Sequence, residues 1–68
     1  MKLEDCIGEE VWVNKAHNWY VLVDVMEGKS GDKYALIEVD NDDIKIIKAS
    51  ELGGYYNKFS EEFRGIEI

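Results

Sequence analysis

The chain has 68 residues, with 8 Lys and Arg against 15 Asp and Glu for a net charge of −7, 46% hydrophobic residues, one Cys, one His and no Pro. That length holds one small core and excludes a second domain, and the apolar content excludes an intrinsically disordered chain. The lone thiol excludes an intrachain disulfide scaffold, and the acidic balance argues against long-range attraction to phosphate backbones or anionic lipid, which needs Lys and Arg to displace counterions.

The first residues, Met1-Lys2-Leu3-Glu4-Asp5, turn acidic before any apolar stretch begins. No run approaches the roughly 18 apolar residues of a membrane span, so the expectation is a cytoplasmic protein with no targeting segment. Gly8 introduces a short strand at Val11-Trp12-Val13, and Asn14 to Asn18 reads as an irregular polar loop. From Trp19 to Met26 the pattern has period two. The odd positions Trp19, Val21, Val23 and Val25 form an unbroken apolar face, and the even positions Tyr20, Leu22, Asp24 and Met26 are mixed, which predicts a strand with its odd side buried. Glu27 to Asp32 holds two glycines suited to a tight turn, and Lys33 to Asp40 again alternates, with Ala35, Ile37 and Val39 on one side. The two strands form a β-hairpin.

Asp40-Asn41-Asp42-Asp43 is a second polar turn, and Ile44-Lys45-Ile46-Ile47-Lys48 is the third strand of an antiparallel meander. Ser50-Glu51-Leu52 predicts one turn of 3₁₀ helix, and Gly53-Gly54 breaks the chain before Tyr55-Tyr56-Asn57-Lys58-Phe59. In the tail, Ser60 could cap a brief helix with Phe59 and Phe63 on one face, but Arg64-Gly65-Ile66-Glu67-Ile68 alternates like a closing strand, and a turn followed by that strand is the favoured reading.

Val11 to Val13, the long pair Trp19 to Met26 and Lys33 to Asp40, then Ile44 to Ala49 running into Ser50-Glu51-Leu52, together resemble the strand succession of small SH3-like barrels. The string is also similar in style to short proteins of bacteriophages and mobile elements in low-GC Gram-positive bacteria. The resemblance spans residues 8 to 53 and rests on pattern, with no diagnostic motif. The aromatic ALYDY stretch of peptide-binding SH3 domains is missing, so recognition of proline-rich peptides is not implied. The expected fold is all-β: one SH3-like antiparallel barrel of four or five strands over residues 1–68, with a short helical turn near residues 50–52.

Three chemical motifs are present only in part. Gly28-Lys29-Ser30 looks like the end of a phosphate-binding loop, but position 23 is Val and the segment leads into a strand, so no helix N-terminus is present to hold phosphate. Asp40, Asp42 and Glu51 fall at positions 1, 3 and 12 of a calcium-loop template, yet Ile44 and Lys45 occupy its fifth and sixth places. Cys6 and His17 are the one thiol and the one imidazole, with no orienting carboxylate singled out, and together they are too few to build a zinc site. The chain is therefore read as a non-enzyme with no cofactor and no metal.

Eight aromatic rings exceed what so small a body can enclose. If the Trp19 side is the core, then Tyr20, Leu22, Met26, Tyr34 and Leu36 form a second apolar patch, with the segment Tyr55 to Phe63 packed back over it as a lid or the patch left open for a partner. Carboxylates cluster at Glu4 to Glu10, at Asp40 to Asp43 and in the tail. The expected function is a small acidic protein-binding module, of the phage-encoded inhibitor or nucleic-acid-mimic kind, acting on a basic host protein. Tyr20, Tyr34, Asp40, Asp42, Asp43, Tyr55, Tyr56, Glu61 and Glu62 are the candidate contact residues. The partner is a protein, with no direct nucleic acid and no membrane. One alternative is an assembly protein forming homodimers or larger oligomers through the apolar face. Another is a nucleic-acid-binding barrel, which requires Lys15, Lys29, Lys33, Lys45, Lys48, Lys58 and Arg64 to gather on one side.

Overall fold

The computed structural model describes residues 1–68, and all six of its strands are antiparallel. They are β1 (Glu10–Val13), β2 (Asn18–Glu27), β3 (Lys33–Asp40), β4 (Asp43–Lys48), β5 (Leu52–Asn57) and β6 (Glu62–Arg64). Their order in the sheet is β4-β3-β2-β1-β5-β6, so β4 and β6 are open edges. The all-β expectation stands, but a closed barrel of four or five strands does not: the sheet has six strands and its ends do not pair. No helix is long and apolar enough to cross a membrane.

The two turns of the meander form where their residues can take unusual backbone angles. Gly31 has φ +87° and Asp42 φ +71°, and Asp tolerates the left-handed region better than most side chains. After β4, a 3₁₀ turn at Ala49–Glu51 carries the chain to β5 beside β1, one residue earlier than the pattern predicted. The Glu51 carboxylate closes this turn by accepting the Lys48 amide at 3.2 Å, while Lys15 lies 3.4 Å from its other oxygen. A second 3₁₀ turn, Leu3–Cys6, was not foreseen; it buries Leu3 and Cys6 against the sheet.

The core lies on one face of the sheet and draws on every strand except β6, together with both 3₁₀ turns. Val11 and Val13 of β1, Leu22 of β2, Ala35 and Ile37 of β3 and Tyr55 of β5 are its centre. On β2 the predicted facing is reversed. Leu22 pairs with Ile37, but Asp24 pairs with Leu36, so Val23 is an extra residue that forms a β-bulge. Ahead of the bulge the even positions Tyr20 and Leu22 face inward; beyond it Val25 does. Trp19 and Val21 therefore point to the other face, opposite to what simple alternation predicts.

Gly53 and Gly54 do not break the chain either. Trp12 pairs with Gly54 and Val13 with Leu52, leaving Gly53 as the bulged residue inside β5. A Cβ at Gly54 would lie 2.5 Å from both the Arg64 carbonyl oxygen and Phe63 Cζ, so the absence of a side chain lets β6 close on β5. The closing strand is Glu62–Arg64, earlier than residues 64–68. The last residues instead tie the two termini together, the Leu3 amide donating to the Glu67 carbonyl at 3.0 Å and the Glu67 amide to that of Met1 at 2.8 Å.

Candidate functional site

Directly paired residues of an antiparallel sheet project to the same side, so the registers define the face opposite the core. One row crosses all six strands: Phe63, Tyr56, Glu10, Val21, Glu38 and Ile44. On one side of it Trp12 pairs with Trp19; on the other lie the rows Asp24, Leu36, Ile46 and Met26, Tyr34, Lys48. This outer face is mainly apolar, it carries the carboxylates Glu10, Asp24 and Glu38, and Lys48 is its cation. Met26, Ile44, Ile46 and Phe63 are each more than two-fifths exposed.

At the β1-β2-β5-β6 end the rings pack on each other. Trp19 is the hub, edge-on to Trp12 at 5.4 Å, to Phe63 at 5.6 Å and to Tyr56 at 6.2 Å between centroids, and Trp12 in turn meets His17 at 6.1 Å. Edge-to-face pairs at these separations are favourable, because the positive ring edge meets a negative ring face. Phe63 lies over Gly54, where a side chain would collide with it. Towards β4 the face is aliphatic instead, with Leu36 flanked by the exposed Ile46.

A groove opens where β2 and β3 part. Their pairing begins at Val21–Glu38, so Asn18, Trp19 and Tyr20 run on without a partner on β3. The space, about 560 Å³, lies between Asn18–Val21 on one bank and Glu38–Asn41 on the other. Asn18 Oδ1 accepts the Trp19 amide at 2.8 Å.

The nine candidate contact residues are dispersed. Tyr20 is on the core side, half-buried, and borders the groove; Tyr34 and Tyr56 are on the outer face. Tyr55 is only 4% exposed and packs in the core opposite Val11, so its ring is withdrawn from any partner. Asp40, Asp42 and Asp43 are exposed at the β3–β4 turn. Glu61 and Glu62 are exposed at the β5–β6 turn, and Glu62 is held 3.0 Å from Arg64. These two acidic turns adjoin strands at opposite ends of the strand order and are not gathered by a common strand pair. The segment Tyr55 to Phe63 does not act as a lid over a second patch; it forms the β5–β6 hairpin within the sheet, leaving Phe59 99% exposed at its tip. Leu22, placed in the second patch by alternation, is fully buried.

Sequence reasoning missed Trp19, Glu38, Ile44 and Ile46 as surface residues. The signal was present for the last two, since Ile44 and Ile46 alternate with Lys45, but choosing between sides of an edge strand requires its pairing partner. Cys6 is buried, its thiol 3.5 Å from the Lys2 carbonyl oxygen, and desolvation holds its pKa above the ordinary thiol value. His17 is exposed at a turn with φ +50°. The two do not form a nucleophile-base pair, because Cys6 is in the core while His17 packs on Trp12 of the outer face. No group of three or more His, Cys, Asp or Glu side chains is placed to hold a metal ion. No protein-family model, curated protein or solved structure matches the chain.

Proposed function

We propose that the chain is a small acidic, non-enzymatic protein-binding module of the cytoplasm that docks a basic partner protein on the outer face of its sheet. The observation that carries this reading is the make-up of that face, where exposed Val21, Met26, Ile44 and Ile46 alternate with Glu10, Asp24 and Glu38 and only Lys48 is returned. Contiguous apolar surface of this kind drives association, and carboxylates around it steer and select a partner of opposite charge. The strand order β4-β3-β2-β1-β5, with one 3₁₀ turn between β4 and β5, supports an SH3-like reading of the fold, opened at β4 and extended by β6.

A phage-encoded inhibitor that occludes the Lys/Arg surface of a nucleic-acid-handling host protein is one form of this function. Charge mimicry alone has less support, since the Asp40–Asp43 and Glu61–Glu62 turns are not brought together by strand pairing. The test compares immobilised wild type with an Ile44→Ser/Ile46→Ser variant in bacterial lysate at low and high salt. Both isoleucines are exposed, so the variant keeps its fold. The expected result is a basic protein held by wild type at low salt, released at high salt, and not captured by the variant; failure to find one counts against the reading.

A second reading, a homodimer, is favoured by the unpaired edge of β4 with Ile44 and Ile46 exposed on it. It predicts a concentration-dependent dimer by light scattering, and a monomer at high concentration removes it. Direct nucleic-acid binding lacks such support, because Lys15, Lys33 and Arg64 are each tied to a carboxylate.

A further inference from the structure

The sheet is open at both ends, and its two edges carry different side chains. On β4, Ile44 and Ile46 stand on the outer face and Asp43 and Lys45 on the core side, all of them exposed. On β6, Phe63 stands on the outer face, and Glu62 and Arg64 are exposed on the core side, where Arg64 pairs with Tyr55. Asp43 and Lys45 have no salt-bridge partner within the chain, and Glu62 and Arg64 have only each other. Every neighbouring pair among the six strands is antiparallel, so β4 and β6 run in opposite directions.

We infer that the β4 edge receives the β6 edge of a second copy of this chain, head to tail, an assignment that rests on the self-association reading above and extends it from a dimer to a repeating contact. A copy set beside the first in the same orientation brings its β6 antiparallel to β4, with both core faces on one side. One register then satisfies every facing position: Phe63 opposite Ile44, Glu62 opposite Lys45, and Arg64 opposite Asp43. An aromatic against a β-branched side chain, and opposite charges directly across, are the favourable cross-strand pairs of an antiparallel ladder. Sliding β6 to set Phe63 opposite Ile46 puts Arg64 against Lys45, so charge selects the register. Like edges fit less well. Two β4 strands with Ile44 opposite Ile46 set Lys45 against Lys45, and two β6 strands bring together Glu62 and Arg64 side chains already paired at 3.0 Å within each chain. A head-to-tail contact leaves a free edge at each end, so copies keep adding unless the rotation between them closes a ring.

The test follows the full chain by sedimentation at rising concentration, with two variants altered only at exposed side chains: Asp43→Lys/Lys45→Asp on β4, and Glu62→Arg/Arg64→Glu on β6. Wild type is expected to associate, and each variant alone to do so about tenfold more weakly, the scale of two exposed attractive pairs turned repulsive. Mixed in equal amounts, the two variants are expected to recover wild-type association, because each swapped edge then meets its swapped complement. Undiminished association of either variant alone, which is the outcome if β6 pairs with β6 or β4 with β4, overturns the assignment, as does a mixture no more associated than its components. Wild type that stays monomeric at millimolar concentration removes the self-association reading and this contact together. Wild type that associates while the swaps change nothing refutes the head-to-tail contact alone.

Discussion

Truncating Leu22 and Val21 in separate variants tests which side of β2 carries the core. Leu22 is fully buried, whereas its neighbour Val21 is 38% exposed on the opposite face. Leu→Ala at a fully buried site costs about 2–5 kcal/mol, through the lost transfer energy and the cavity left behind. Val→Ala removes two carbon groups worth about 0.8 kcal/mol each when fully buried, so with more than a third of Val21 already in water its loss is about 1 kcal/mol. A domain of this size holds a net stability of about 3–5 kcal/mol. Leu22→Ala therefore brings the chain to the edge of unfolding, while Val21→Ala stays folded. Urea denaturation followed by tryptophan fluorescence reads both, and at a slope of about 1 kcal/mol per molar the Val21 variant shifts its midpoint by about 1 M. Sodium sulfate added to all samples restores a folded baseline for the Leu22 variant. A loss at Val21 equal to or larger than that at Leu22 would refute burial of the Tyr20-Leu22 side of β2.

Gly54→Ala is expected to cost about 1–3 kcal/mol, because its new Cβ would press on the Arg64 carbonyl and the Phe63 ring, whereas Gly65→Ala, which meets nothing within 4 Å, should change the urea midpoint little. The Lys33 ammonium donates to Glu4 Oε1 at 2.6 Å, lowering the Glu4 pKa and raising that of Lys33. Its stabilising effect is present above the unfolded carboxyl value and is lost as pH falls through the lowered folded one; at the alkaline end it is lost as pH rises through the raised Lys33 value. An NMR titration should find the Glu4 carboxyl titrating higher in Lys33→Met than in wild type, with the backbone hydrogen bond at Glu4 still holding it down in part, and an unchanged titration would refute the pairing. Burial raises the Cys6 pKa, so the native thiol should resist Ellman's reagent until urea unfolds the chain, and stability should fall as alkaline pH ionises the unfolded thiol first. Rapid native labelling would contradict its placement in the core.

The candidate surface was partly legible from residue types. The Asp40–Asp43 turn was readable because short acidic and amide side chains suit left-handed turn geometry, and its carboxylates are exposed as that chemistry implies. Tyr55 and Tyr56 are adjacent in a strand, so one had to face the core and one the outside, but nothing local says which. The groove was not readable. It depends on where β2 and β3 cease to pair, and on Trp19 and Glu38, separated by nineteen positions in the chain, standing on its two banks.

Period-two alternation, turn residues and the single 3₁₀ signal determined by themselves that this is an all-β chain, with strands close to residues 19–26, 33–40 and 44–48. These are local properties, set by side-chain stereochemistry and by which residues tolerate a reversal. The tertiary structure alone decided which face of β2 is buried, because Trp19 and Val21 on one side and Tyr20 and Leu22 on the other are both apolar, and one bulged residue exchanges the sides midway. It also decided that Gly53 and Gly54 lie within a strand and not between elements, since only the approach of β6 reveals why a side chain at Gly54 is excluded. Alternation specifies that a strand has two faces; the packing partner on each face selects the one that leaves water.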